Sequence, residues 1–366
     1  MIINKLSLKN YRIYDKADIE LINGINVFVG SNGVGKTSLL EACYYMCFSK
    51  SYKSKDEELV KDGCDFSKIT CLTSFENEKN ELSMVITKKG KKAIINGVEI
   101  KKLSEFVGKY NVVLFAPEDL YLIKGSPQER RTFMDLEIGQ VSKEYLEHLS
   151  LFKKHLKYRN DLLKLMNEKG NMDEFLLDSI TSLMIEEENQ ITNSRREFIK
   201  EINELIKDKY KSLTGIDEKV HLKYQPCLEK YTLDDYKKDY LYDFKQKNTS
   251  KGVQKDEVLI LKDGVDVKKY CSQGEIRTVS LSLKLALIEY INIHKKQKPI
   301  LLLDDVFSEL DTNRQQKLLE YVNFGGQVII TTTNLIDIKL DNVSNIKIFE
   351  IKNQEDKKYE YSKWII

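Results

Sequence analysis

The stretch INVFVGSNGVGKTSLLEACYYMCF, residues 25 to 48, runs from an apolar segment through a glycine-rich turn into a segment suited to a helix. Its centre, Gly30-Ser31-Asn32-Gly33-Val34-Gly35-Lys36-Thr37-Ser38, carries the spacing GxxxxGK[ST]. Glycines let successive backbone N–H groups turn inward around phosphate oxygens, and the start of the following helix adds positive potential. In such a loop the Lys36 ammonium reaches the outer phosphates of a nucleotide and the Thr37 hydroxyl can ligate Mg²⁺. The strand before and the helix after distinguish it from a chance glycine turn. Residues Gly30 to Ser38 are therefore expected to hold the phosphates of a nucleotide.

Working outward, residues 1 to 30 read as strands that feed this loop, and the helix is expected from Lys36 to about Phe48 with Leu39, Leu40, Cys43 and Cys47 on one face. Residues 68 to 97 read as an antiparallel meander with turns at Asn77 to Asn80 and Lys89 to Gly90, and 111 to 115 (NVVLF) as a buried strand. From Ser142 to about Leu213 the character changes. Leu146, Leu149, Phe152, Leu156, Leu162, Leu163 and Met166, then Phe175, Leu176, Ile180, Leu183, Ile191, Phe198, Ile202 and Leu205 recur near three- and four-residue spacing. Two long amphipathic helices, broken at Lys169 to Asn171, are the expected outcome. The α/β pattern returns at the C-terminal side, with a helix from Gly274 to about His294, the apolar run ILLLDD, a helix from Thr312 to Tyr321, and QVIITTT. The expected fold is thus an α/β ATPase head of mixed sheets made from 1–140 and 245–366, with an antiparallel sheet lobe around 68–100. A mainly helical domain, 141–244, is inserted in it.

Three weaker signals gain weight by their order. Pro299-Ile-Leu-Leu-Leu-Asp304-Asp305 ends an apolar strand in paired carboxylates, where Asp304 can hold the Mg²⁺ shell and Asp305 can orient or deprotonate an attacking water. Taken alone it is also an ordinary strand end. Ser272-Gln273-Gly274-Glu275 opens a long helix, so a small hydroxyl and free N–H groups can form a second anion site, or a plain Ser cap. Ser308-Glu309-Leu310-Asp311 follows the carboxylates closely.

Composition sets outer limits. The chain has 366 residues, 59 Lys+Arg against 57 Asp+Glu for a net +2, and 41% hydrophobic residues, which excludes a disordered or collagen-like chain. The near-zero charge gives no whole-molecule attraction for polyanions, so nucleic-acid contact requires a segregated basic patch. No apolar run is long enough for a membrane helix, and the six cysteines form no CxxC pair. A soluble cytoplasmic protein with free thiols is expected.

The order phosphate loop, long insertion, SQGE, LLLDD, SELD resembles the heads of ABC-type ATPases and, within them, the SMC-like heads that work on DNA. Closer still, LKNYRIYD, GSNGVGKTSLLEACYYM, LFAPEDLYLIKGSPQERRTFMD (114–135), SQGEIRTVSLSLKLA (272–286) and LLLDDVFSELD (301–311) are similar to the RecF family of DNA repair proteins. The resemblance implies an ATP-dependent homodimer, each phosphate loop closed by Ser272, Gln273, Gly274 and Glu275 of the other copy, with Asp311 near the same junction. It also implies slow ATP hydrolysis stimulated by DNA, binding to single-stranded or gapped DNA without sequence preference, and the partners RecO and RecR in loading recombinase. Replication and the SOS response are its implied settings. Arg12 resembles a position that SMC-like heads use near the nucleotide, while Glu118 and Asp119 stand where a transporter ATPase carries its glutamine loop. Thr331 to Thr333 stand where those ATPases often have a switch His. Candidate basic clusters for DNA are Lys50, Lys53 and Lys55, then Arg130 and Arg131, Lys207, Lys209 and Lys211, and His294 to Lys298; each alone also reads as a solvated face. Gly252 to Glu257 (GVQKDE) replaces the family's GPHRDD, without its His and Arg. The alternatives are a transporter nucleotide subunit and an ATP-binding scaffold without turnover.

Overall fold

The apolar run Ile25–Val29 is an inner strand of a six-stranded sheet in a computed structural model that describes residues 1–76, 78–322, 325–335, 345–352 and 363–365. The chain divides into two compact units, Met1–Asp119 with Leu281–Ile366, and Leu120–Ser280. The expected insert, 141–244, lies inside the second unit, which also takes in residues 120–140 and 245–280.

In the first unit the sheet runs in the order Lys363–Ile365, Ile346–Glu350, Ile25–Val29, Val328–Thr332, Ile300–Asp304, Val112–Phe115. All neighbours are parallel except the Lys363–Ile365 edge. Ile300–Asp304, Val328–Thr332 and Val112–Phe115 are buried at every residue, which is why they read as continuous rather than alternating apolar runs. The register sets Asp304 beside Thr331, and Thr332 beside Val29, so the carboxylate strand and the phosphate-loop strand end at one edge with a single strand between them.

The helix after the loop spans Lys36–Phe48 and is buried at nearly every position from Leu39 onward, instead of on one face. It touches the parallel strands on one side and Phe66–Phe75 and Glu78–Thr87 on the other, so no face is left for water. Those two strands belong to an antiparallel sheet in the order Tyr14–Glu20, Ile2–Tyr11, Phe66–Phe75, Glu78–Thr87, Gly90–Ile95, Val98–Ile100. The turn at Lys89 to Gly90 is present, with Gly90 at φ 145°; of the turn expected at Asn77 to Asn80, Asn77 lies outside the described residues, and Glu78 to Asn80 are instead already paired in the strand Glu78–Thr87.

In the second unit the helices Lys143–Lys169 and Glu174–Thr214 pack against each other. Ser142 caps the first through Tyr145 N (3.1 Å), Asp173 caps the second through Leu176 N (2.9 Å), and Gly170 at φ 67° makes the expected break between them. Leu149, Phe152, Leu163, Met166, Ile180, Ile191, Phe198 and Ile202 of the apolar stripe are buried and Leu146, Leu156, Leu162 and Leu205 are half-buried, but Phe175 is 83% exposed and Leu176 and Leu183 are exposed as well. Beside the second helix stands a three-stranded sheet, Val265–Asp266, Glu257–Lys262, Val220–Gln225.

The core of this unit carries buried ions. Arg159 pairs with Asp243 (2.8 Å) and Arg195 with Asp256 (2.7 Å) and Asp135 (2.8 Å). Glu188 is fully buried under the Tyr236 hydroxyl, which donates to both its oxygens, and burial pushes its carboxyl from 4.5 up to about 8. A carboxyl raised in the fold takes up a proton on folding, so its contribution to stability is full below the ordinary carboxyl range and is lost as pH rises towards 8. From pH 5 to pH 8 the unfolding free energy of the protein is expected to fall by on the order of 2–4 kcal/mol from this group. Glu188→Gln, an always-neutral acceptor for Tyr236, should flatten that slope in denaturant titrations at the two pH values.

Candidate nucleotide site

The phosphate loop is shaped by close approach. A Cβ on Gly30 would lie 2.3 Å from the Ile351 carbonyl, and Gly35, at φ 99°, would put one 2.6 Å from the Tyr14 hydroxyl. Tyr14 fixes the turn by donating to the Gly35 carbonyl at 3.1 Å. Ser31, Asn32 and Gly33 are exposed, whereas Val34 is buried and anchors the loop. Lys36 is buried, and its Nζ donates to the Gly30 and Ser31 carbonyls at 2.7 and 2.8 Å. Burial pulls this ammonium below the ordinary lysine range, against the attraction of Asp305 and Asp304.

Asp304 is the hub of the site. Its Oδ1 accepts from the Thr37 and Thr331 hydroxyls, both at 2.8 Å, and its Oδ2 accepts from the Tyr52 hydroxyl and the Lys53 ammonium, both at 2.9 Å. Burial alone would push the Asp304 carboxyl up, but Lys53 and the Thr331 and Thr37 hydroxyls outweigh it and hold it below the usual range. Asp304 therefore stays ionised. Asp305 follows in the left-handed region, φ 53°, with its N–H on the Thr331 carbonyl at 3.2 Å and hydroxyl at 3.1 Å. Asp311, exposed, caps the helix Thr312–Val322 through Arg314 N at 2.9 Å.

A carboxylate and a hydroxyl are hard oxygen donors suited to Mg²⁺, which keeps waters and takes phosphate oxygens for its remaining positions. Among the described residues no group of three or more His, Cys, Asp or Glu could hold a metal by itself.

Arg12, at φ 54°, has its guanidinium committed within the protein: Nε and Nη2 donate to the Glu41 carboxylate at 3.0 and 2.8 Å, and Nη1 to the Glu58 carbonyl at 3.1 Å. Glu118 faces Lys53 at 3.3 Å, and Asp119 pairs with Lys284 at 2.9 Å.

In the second unit, Ser272, Gln273 and Gly274 are exposed at the start of the helix Gln273–Lys295. Glu275 turns back to accept from Ser272 N at 2.8 Å while its own N–H meets the Ser272 Oγ at 3.3 Å, a reciprocal cap. Lys262 also holds it, and these bonds take the Glu275 carboxyl down to about 2.

The family model described as RecF/RecN/SMC N terminal domain matches residues 2–357. The DNA replication and repair protein RecF of Staphylococcus carnosus (strain TM300) is 39% identical over 367 residues, covering 97% of this chain and 99% of the relative. The chain belongs to the RecF family. RecF of Bacillus velezensis is likewise 39% identical over 365 residues, 96% of this chain. A solved structure of the recombination mediator protein RecF with ATP, from the RecFOR pathway, superposes with a TM-score of 0.88 at 28% identity and 99% coverage of both chains. The Smc head domain of Pyrococcus furiosus shares the fold, with a TM-score of 0.57 at 17% identity over 99% of this chain and 96% of that one.

RecF membership replaces the transporter alternative, and among the described residues no helix is long and apolar enough to cross a membrane. Several basic residues offered for DNA are turned to other uses. Lys53 sits on Asp304, Arg130 is buried on Glu257 at 2.9 Å, and Arg131 donates to the Asp256 carbonyl at 2.7 Å. Asp256 and Glu257, the acidic end of the altered GVQKDE segment, are thus internal ion-pair partners. Tyr52 and Glu41 are the members of the candidate site that the sequence did not single out, whereas Thr331, from the TTT end, is the threonine whose hydroxyl meets Asp304. Tyr52 follows Ser51 in a segment read only for its lysines.

Proposed function

We propose that this chain is a DNA-repair ATPase whose nucleotide acts as the link between two copies. The observation that carries the reading is the 2.8 Å hydrogen bond from Thr37 to Asp304, which joins the end of the phosphate loop to the end of the carboxylate strand across 267 positions of sequence. ATP is held by the N–H groups of Gly30 to Ser38 and by Lys36; Thr37 and Asp304 would hold Mg²⁺, which when bound would neutralise phosphate charge. Asp305 orients the attacking water. Its short carboxylate sets a long reach, so turnover falls at or below the low end of the typical ~1–10³ per second.

Exposed Ser272, Gln273 and Gly274 of one copy meet the γ-phosphate held by the other, with Glu275 holding the helix start in shape and Asp311 at the junction. Arg12 contacts ATP only by exchanging part of its Glu41 pairing. Charge-assisted hydrogen bonds contribute roughly 1.5–3 kcal/mol each and recur at two symmetric positions, so loss of the γ-phosphate releases the dimer. The protein works in the cytoplasm, binds gapped or single-stranded DNA through its backbone and has RecO and RecR as partners, a reading supported by kinship with proteins named for replication, repair and the RecFOR pathway.

Sedimentation of the protein alone, with ADP and with ATP, each with and without gapped DNA, tests the proposal. Dimer is expected only with ATP and more of it with DNA; monomer under every condition refutes it.

A further inference from the structure

Asp304 is neutralised by this chain's own lysine, in a way that the nucleotide reading does not use. The Lys53 ammonium and the Tyr52 hydroxyl share Oδ2 at 2.9 Å each. Glu118 Oε1 lies 3.3 Å from the same ammonium, and Glu118 Oε2 is buried with no hydrogen-bond partner. The lysine is also aimed. Ser51 Oγ accepts from the N–H groups of Lys53 (3.0 Å) and Ser54 (3.1 Å), and the Ser51 and Ser54 hydroxyls both donate to Glu41 on the phosphate-loop helix.

We propose that Lys53 is a built-in counter-ion which a divalent cation must displace from Asp304, and that Glu118 receives the ammonium it displaces. The inference rests on the Mg²⁺–ATP reading above and adds a device to it. A buried carboxylate with no cation beside it is costly, so Lys53 keeps the site neutral and ordered. A divalent cation on the Asp304 carboxylate and an ammonium within 3 Å of the same group repel each other strongly at low dielectric, so the two exclude one another. Glu118, already in reach and with an unused buried oxygen, lets the ammonium move a short way without losing an anionic partner. Metal uptake is thereby coupled to the Ser51–Ser54 turn. That turn also holds Ser54 against Arg12, so the position of Lys53 reports the metal to the Arg12–Glu41 pair.

Calorimetric titration with ADP, in Mg²⁺ and in EDTA, gives the factor by which metal tightens binding; ADP keeps dimer formation out of the measurement. In Lys53→Met, where nothing has to be displaced, that factor is expected to rise about five- to tenfold over the unaltered protein. In Glu118→Gln, where the ammonium has no anion to move to, it is expected to fall about threefold. An unchanged or smaller factor in Lys53→Met, or an unchanged or larger one in Glu118→Gln, overturns the proposal. Should Lys53→Met fail to fold, Glu118→Gln decides alone. If the unaltered protein binds no ADP in either buffer, the nucleotide reading itself fails, whereas ADP binding with an unaltered metal factor in the variants sinks only the displacement.

Discussion

Lys36→Met is expected to weaken ATP binding by at least about 100-fold, because the lost ammonium makes charge-assisted bonds worth roughly 1.5–3 kcal/mol each to the outer phosphates. The same substitution should leave the free protein as stable as before, within about 1 kcal/mol. The reason is the cost already present. Lys36 is buried and its ammonium is held below the ordinary lysine range, so removing the charge relieves desolvation while giving up two hydrogen bonds to the Gly30 and Ser31 carbonyls. Sign follows from direction: a lysine lowered in the fold gains stability on losing its proton, so the charge opposes folding at neutral pH. Thermal denaturation with and without ATP separates the two effects. An ATP-induced rise in melting temperature that survives in Lys36→Met would remove Lys36 from the phosphate site.

The parts of this site legible in the sequence are those whose chemistry is local. Gly30 to Thr37 specify their own turn, Ile300–Asp304 announces a buried strand by its unbroken apolar run, and Gly170 stops one helix just before Asp173 starts the next. Ser272 and Glu275 form a reciprocal cap that their three-residue spacing permits, although the sequence reading gave Glu275 to the nucleotide. What the sequence concealed is set by pairing across the fold. Lys53 and Lys55 look alike as charges on a segment, yet Lys53 is drawn to Asp304, 251 positions away. Arg130 and Arg131 read as a basic pair for a polyanion, but Glu257 and the Asp256 carbonyl, more than a hundred positions on, claim both. An acidic partner brought near only by folding leaves no trace in local spacing. The same holds for the helix Lys36–Phe48, whose second buried face exists because an antiparallel lobe packs there.

Ser272→Arg should abolish ATP-dependent dimerisation, weakening it by at least about 100-fold, while leaving monomeric ATP binding within about threefold of the unaltered protein. Ser272 is exposed and its role within its own copy is modest: Oγ accepts from Glu275 N at a long 3.3 Å, and losing such a cap costs about 0.5–2 kcal/mol. The stronger half of the cap, Glu275 on Ser272 N at 2.8 Å, uses backbone and survives the change, as does the hold of Lys262 on Glu275. The helix Gln273–Lys295 therefore keeps its start, and a defect in dimerisation cannot be ascribed to its unfolding. An arginine in place of the small hydroxyl fills the space that a facing phosphate loop needs, and twofold symmetry imposes that obstruction twice. Sedimentation with ATP measures the dimer, and calorimetric titration of the monomer with ADP measures the intact phosphate loop. A variant that still dimerises with ATP would mean that this helix start does not face the partner copy's nucleotide, and the role assigned to Gln273 and Gly274 would fall with that of Ser272.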